Sequence, residues 1–147
     1  MSHQRIATVS ENRKGPFGQT VHVGANVVQA DEPVELGGLG QGLDPFEFVL
    51  AGLGACTSMT IRMYATRKGW PLDHVEVVTA HAERLSEGAP QDVFTREIRL
   101  HGDLSDEERA RLLDIAERCP VSRSLGKGAI IRSHLAEAGE GVGGVTS

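Results

Sequence analysis

A chain of 147 residues with 39% apolar and 24% charged residues fits one globular domain, large enough to form a core without disulfide staples. Aromatics are only 4%, so that core must be aliphatic, and a formal charge of −5 argues against the clustered Lys and Arg that track nucleic-acid phosphates. No stretch reads as the roughly 18 apolar residues that cross a bilayer, and residues 1–15 are polar, without the apolar centre of a signal peptide. The expectation is a cytoplasmic protein with no membrane or nucleic-acid partner.

The first third reads as strands. Arg5–Ser10 is β-prone, Gln19–Gly24 alternates polar Thr20 and His22 with apolar Val21 and Val23, and Asn26–Ala30 is a further short strand. Asp31-Glu32-Pro33 breaks the pattern, and Gly37–Gly42 is a glycine-rich loop. Asp44 then suits a helix cap, Pro45 the first helical position and Glu47 the third position of a capping box. The helix so opened runs to Gly69, about 24 residues or ~36 Å at 1.5 Å per residue. Its first half, Phe46 to Cys56, contains one charge, Glu47. A helix apolar nearly all round must be covered on most sides, and a second copy of a chain this small would supply the cover.

His74–Leu85 and Val93–His101 alternate as strands around a Ser86–Pro90 loop, which predicts an antiparallel hairpin. On the second strand Phe94, Arg96, Ile98 and Leu100 share a face. Ser105 to Glu108 is a capping box for a second helix, whose apolar stripe is Leu112, Leu113, Ile115 and Ala116. That helix is expected to end at Cys119, because Pro120 disfavours helical backbone in the residue before it. Val121–Leu125 reads as a turn, Ala129–Leu135 as a last strand, and residues 139–147 as a flexible glycine-rich tail to a single domain spanning 1–138.

Chemistry is confined to few residues. The two cysteines, Cys56 in the long helix and Cys119 in Arg118-Cys119-Pro120-Val121-Ser122-Arg123, lie far apart in sequence. In a reducing compartment such a pair is either free or redox-active rather than a staple. If the fold joins them, one thiolate could attack a peroxide and the other condense with the resulting sulfenic acid. That chemistry needs a nearby positive group to lower a thiol pKa. The competing reading is plain packing: free cysteine is often a small apolar filler, and Val49, Leu53, Met59 and Met63 share the face of Cys56. There is no CxxC or HExxH and the six His are scattered, so no metal site is expected.

DPFEFVLAGLGACTSMTIRMYATRKGW resembles the central helix of the OsmC/Ohr family of organic hydroperoxide reductases and osmotically induced proteins, and RCPVSRSL resembles its second cysteine segment. The upstream ADEP with its glycine-rich loop is similar to one OsmC-like branch, and the likeness runs from about Val21 to Leu135. The resemblance implies an α+β fold, with an antiparallel sheet and a long buried central helix, assembled as an intertwined homodimer. It implies an organic hydroperoxide as substrate and Cys56 as the attacking thiol. Cys119 would resolve the intermediate, a dithiol such as a lipoylated protein would be the reductant, and no metal, flavin or haem would take part. The family reductases carry Glu directly after the proline that opens the helix. Here Phe46 stands there and the acid is Glu47, roughly 180° around the helix from Cys56 at about 100° per residue. For the Arg that holds the thiolate, Arg13 is the candidate by position, and Ser122 stands where relatives of this branch carry His.

Overall fold

The computed structural model describes residues 4–85 and 88–137. The glycine-rich tail expected over 139–147 and part of the loop expected over Ser86–Pro90 lie outside them. The chain forms two compact units, Met1–Pro45 with Ile130–Ser147, and Phe46–Ala129.

The first unit is built on a three-stranded antiparallel sheet, β1 (Thr8–Glu11), β2 (Gln19–Val23) and β3 (Asn26–Ala30), in that order. β1 begins later than the sequence pattern indicated, because its ladder starts where Thr8 faces His22. β2 and β3 are joined by Gly24-Ala25, with Gly24 at φ 58, the positive value that a tight hairpin asks of its first turn residue. After β3 the chain is held by Asp31, 4% exposed, whose carboxylate accepts from the backbone N–H groups of Glu32, Leu39 and Gln41. This pins the glycine-rich loop at three points. At Gly38 the backbone passes so close to the Glu32 carbonyl oxygen that a Cβ would lie 2.0 Å from it, so no other residue fits without movement.

The second unit contains α1 (Pro45–Lys68), the hairpin of β4 (Leu72–Leu85) and β5 (Pro90–Gly102), α2 (Asp106–Ala116) and α3 (Pro120–Lys127). The β4–β5 ladder pairs Val75 with Leu100, Val77 with Ile98, Thr79 with Arg96 and His81 with Phe94, so these side chains share one face. The core joins α1, the hairpin and α2 through Ile61, Ala65, Leu72, Leu104, Leu112 and Ala116, with Tyr64, Trp70, Val75, Ile98 and Leu100 packed around them. α2 opens with the capping box read from sequence, Ser105 and Glu108 each satisfying the other's backbone N–H.

Four readings are corrected. α2 stops at Ala116 rather than Cys119, and Cys119 is instead the N-cap of a separate helix with Pro120 in its first turn. The expected turn over Val121–Leu125 is therefore helical: Pro120 breaks one helix and suits the start of the next. Residues 129–135 form no strand, and Ile130, Ile131 and Leu135 are 78%, 88% and 97% exposed. No strand of the described chain pairs with this segment, so its alternating pattern has no ladder to join. Finally, α1 does reach the length and composition of a membrane span, with hydropathy 1.2 over an 18-residue window.

Only one stripe of α1 is covered: Leu53, Thr57, Ile61 and Ala65, four residues apart, are buried. Met59 and Met63 on another side are 66% and 71% exposed.

Candidate thiol site

Three elements of the second unit converge on the two cysteines. α1 supplies Cys56 and Thr57, the N-terminus of α3 supplies Cys119, and β5 supplies Arg96. Cys119 is fully buried and Cys56 partly exposed; both are free thiols. Thr57, next to Cys56 in α1, has its hydroxyl 3.8 Å from the Cys119 sulfur, so the two cysteines come from adjoining parts of the same cluster.

The pair is not symmetric. Cys119 Sγ accepts the Ser122 backbone N–H at 3.4 Å, as the N-cap side chain of α3. The Thr57 hydroxyl lies 3.8 Å from the same sulfur and 2.7 Å from the Leu53 carbonyl oxygen, so its single proton has two acceptors in reach. Arg96 closes the arrangement. Its Nη1 donates to Thr57 Oγ1 at 3.1 Å and to the Ala116 carbonyl at 3.0 Å, and its Nη2 pairs with Glu117 at 3.2 Å.

These surroundings push the two thiols apart. Burial raises the Cys56 pKa, the Val121 N–H opposes it, and the bond shared with Cys119 raises it again; the net shift is upward. Burial also acts to raise Cys119, but the bonds from Ser122 N–H, Cys56 and Thr57 outweigh it and the net shift is downward. The sealed sulfur is thus shifted towards the more acidic thiol and the accessible one away from it. Cys119 is held in place by the first turn of α3, whose N-cap it forms.

Glu47 is exposed in the first turn of α1, two turns and more before Cys56. Arg13 belongs to the first unit, exposed, with a left-handed φ of 61. Arg62 donates to the Leu72 carbonyl at 2.7 Å and so ties α1 to the start of β4. Phe46 stacks on His81 with centroids 4.2 Å apart, and His81 stacks in turn on Phe94 and bonds Asp92 at 2.7 Å. An aromatic stack thus occupies the head of α1. Ser122 contributes through its backbone, which any residue could do. Among the described residues no three His, Cys, Asp or Glu side chains cluster as metal ligands would.

Sequence reasoning missed Arg96 and Thr57. The signal for Arg96 was present: it interrupts the face of Phe94, Ile98 and Leu100, where a charge needs buried partners. Thr57 had no comparable signal, since a β-branched hydroxyl residue in an apolar helix is unremarkable.

Paired thiols at the junction of a long central helix and a short proline-capped helix, on an antiparallel α+β frame, define the OsmC/Ohr type of fold. Residues 38–133 match the OsmC-like protein family, and the chain belongs to it. The structure is similar to an organic hydroperoxide resistance protein OsmC from Legionella pneumophila, at 24% identity and TM-score 0.65, covering 84% of this chain and 89% of that one. An OsmC-like protein from Mycoplasma pneumoniae superposes with TM-score 0.72 at 19% identity, covering 86% and 89%. A putative organic hydroperoxide resistance protein from Vibrio cholerae, with captopril in one of its active sites, gives 0.63 at 24% identity, covering 85% of each chain. No curated protein matches the sequence.

Proposed function

We propose that the chain is a thiol-dependent peroxidase for organic hydroperoxides, acting in the cytoplasm in oxidative stress defence. The observation that carries this reading is an accessible thiol, Cys56, beside Thr57, whose hydroxyl reaches the sealed sulfur of Cys119 at 3.8 Å. Cys56, as thiolate, attacks the terminal oxygen of ROOH. The O–O bond breaks, RO⁻ leaves and is protonated to the alcohol, and Cys56 becomes a sulfenic acid. The Cys119 sulfur then attacks the Cys56 sulfur and hydroxide leaves as water, which gives an intramolecular disulfide. A dithiol reductant, such as a lipoylated protein, reopens it by two exchanges. No cofactor is needed for this cycle.

The reading includes a homodimer. The exposed apolar side of α1, with Met59 and Met63, and the unpaired 129–135 segment are what a second copy would cover, and with it the two units of each chain would act as one domain. Arg13 is proposed to bring positive charge to the thiols in that assembly. Glu47, on the opposite side of α1 from Cys56, would serve a site only from the facing subunit. Support for the substrate class comes from the family and from the relatives named as organic hydroperoxide resistance proteins.

A second reading, a dimer that binds a small apolar ligand and keeps inert thiols, draws on the upward shift of Cys56 and on the aromatic stack that replaces the family Glu. Stopped-flow oxidation of the reduced protein separates them. A faster reaction with cumene hydroperoxide than with hydrogen peroxide is the expected result; no reaction with either gives the place to the binding dimer.

A further inference from the structure

Arg96 lies on the face of β5 that also carries Phe94, Ile98 and Leu100, with its side chain 12% exposed. A guanidinium at that depth costs desolvation, and it suits a place where its planar fork reaches several acceptors at once. Here the acceptors belong to the two segments that carry the thiols. Nη1 donates to the hydroxyl of Thr57, the residue after Cys56, and to the carbonyl of Ala116, three residues before Cys119. Nη2 meets Glu117, the residue after Ala116. The same Ala116 carbonyl receives the Cys119 N–H at 3.2 Å, and the Thr57 hydroxyl is 3.8 Å from the Cys119 sulfur.

Satisfaction of polar groups does not explain the arrangement. Without Arg96 the Thr57 hydroxyl would still donate to the Leu53 carbonyl at 2.7 Å, the Ala116 carbonyl would still hold the Cys119 N–H, and Glu117, 67% exposed, would be hydrated. What would be lost is the link: β5 would no longer fasten α1 at Thr57 to the end of α2 at Ala116. Arg109 provides the contrast. It also joins α2 to β5, through the Leu100 and Gly102 carbonyls at 2.9 and 3.0 Å, but from the first half of the helix and with acceptors that adjoin neither cysteine in sequence.

We propose that Arg96 is a positioning residue for the resolving step: it sets the approach of the Cys119 sulfur to Cys56. The proposal rests on the peroxidase reading for its place in the cycle. In that step Cys56 is a sulfenic acid. The Cys119 sulfur attacks it, the S–O bond breaks, and hydroxide leaves with the thiol proton as water while the S–S bond forms. A disulfide accepts Cα separations of only about 4.4–6.8 Å, so a shift of the Ala116–Cys119 segment by about 1 Å falls directly on this step. Attack on the peroxide uses the Cys56 sulfur alone and does not depend on where Cys119 stands. Arg96 bonds neither sulfur; it acts through Thr57 and Ala116.

Matched substitutions at the two arginines test this in the full chain: Arg96→Met and Arg96→Lys against Arg109→Met and Arg109→Lys. Glutathione redox buffers measure the effective concentration of the thiol pair without any peroxide. Glutathione disulfide reacts at the accessible Cys56, and the Cys119 sulfur then displaces glutathione as the protein disulfide forms. Arg96→Met should lower that effective concentration about tenfold or more. Arg96→Lys keeps the charge but only one donor nitrogen and should fall about threefold. The Arg109 variants should stay within about twofold of wild type, even where they unfold at lower temperature. With cumene hydroperoxide, Arg96→Met should oxidise Cys56 at the wild-type rate while the sulfenic acid accumulates and is trapped by dimedone. An Arg96→Met protein that closes the disulfide as readily as wild type overturns the proposal. An equal loss in the Arg109 variants, which would mean general loosening, overturns it too, as does a first oxidation step slowed as much as the second. If Arg96→Met does not fold, the two Lys variants decide in the same sense. A protein whose thiol pairing in glutathione buffers follows Arg96, but which ignores every hydroperoxide, removes the peroxidase reading and leaves the positioning role standing.

Discussion

Two truncations on one helix distinguish a core residue from one that only a partner would bury. Ile61 is fully buried in the cluster with Leu72, Leu104 and Leu112, whereas Met63, two positions on, is 71% exposed. Ile61→Ala removes three carbons at roughly 0.8 kcal/mol per buried carbon, and the cavity left among close-packed neighbours brings the cost to about 3–4 kcal/mol. That is a large share of a domain stability of about 5–15 kcal/mol. Met63→Ala in an isolated chain should cost no more than about 0.5 kcal/mol. Covered by a second copy, the same methionine should cost about 2 kcal/mol or more. The assay is urea unfolding of both variants and wild type at two protein concentrations tenfold apart. The dimer predicts a wild-type midpoint that rises with concentration, by the equivalent of about 1.4 kcal/mol, and a Met63→Ala loss of core size. A concentration-independent midpoint together with a neutral Met63→Ala would refute the argument that α1 needs a partner.

Other consequences follow from single contacts. Leu53→Asp places an unpaired carboxylate where Leu53 is 2% exposed, and should abolish cooperative folding as judged by circular dichroism, since such burial costs several kcal/mol. Ser105→Ala breaks the capping box of α2 and should lower stability by about 1 kcal/mol in the same unfolding assay, with Glu108→Gln less costly. The two thiol shifts give reduced protein an opposed pH dependence. The lowered Cys119 stays ionised when folded at pH values where the unfolded thiol is protonated. Stability from this group is therefore present above the ordinary thiol value and lost as pH falls through the folded pKa. The raised Cys56 acts oppositely and costs stability as pH rises above that value. Thermal unfolding of Cys119→Ser should lack the first limb, and of Cys56→Ser the second.

Much of the frame was legible because local chemistry and global packing agree. Asp44-Pro45 opens α1, Gly69 ends it, Ser105 to Glu108 caps α2, and the alternation of Phe94, Ile98 and Leu100 marks the inner face of β5. What was not legible depended on partners distant in sequence. The Ala129–Leu135 pattern is strand-like by itself, but a strand exists only where a ladder accepts it. Pro120 was read as a stop for α2, and its equal fitness as a start for α3 placed Cys119 at an N-cap rather than a C-terminus. That difference of a few residues gives Cys119 the Ser122 backbone N–H. Cys56 and Cys119 were singled out as chemistry-bearing, yet the polar groups around them, Thr57 and Arg96, gain their meaning only when α1, β5 and α3 meet.

The central claim is that the two thiols form one redox unit. Reduced protein treated with one equivalent of cumene hydroperoxide and mapped under non-reducing conditions by mass spectrometry tests it most directly. The account predicts one disulfide joining Cys56 to Cys119 within a single chain, formed with loss of two hydrogens and reversed by a dithiol. A Cys56 that stops at sulfenic or sulfinic acid beside an untouched Cys119 thiol, or a pair of thiols that survives the treatment unchanged, would contradict it.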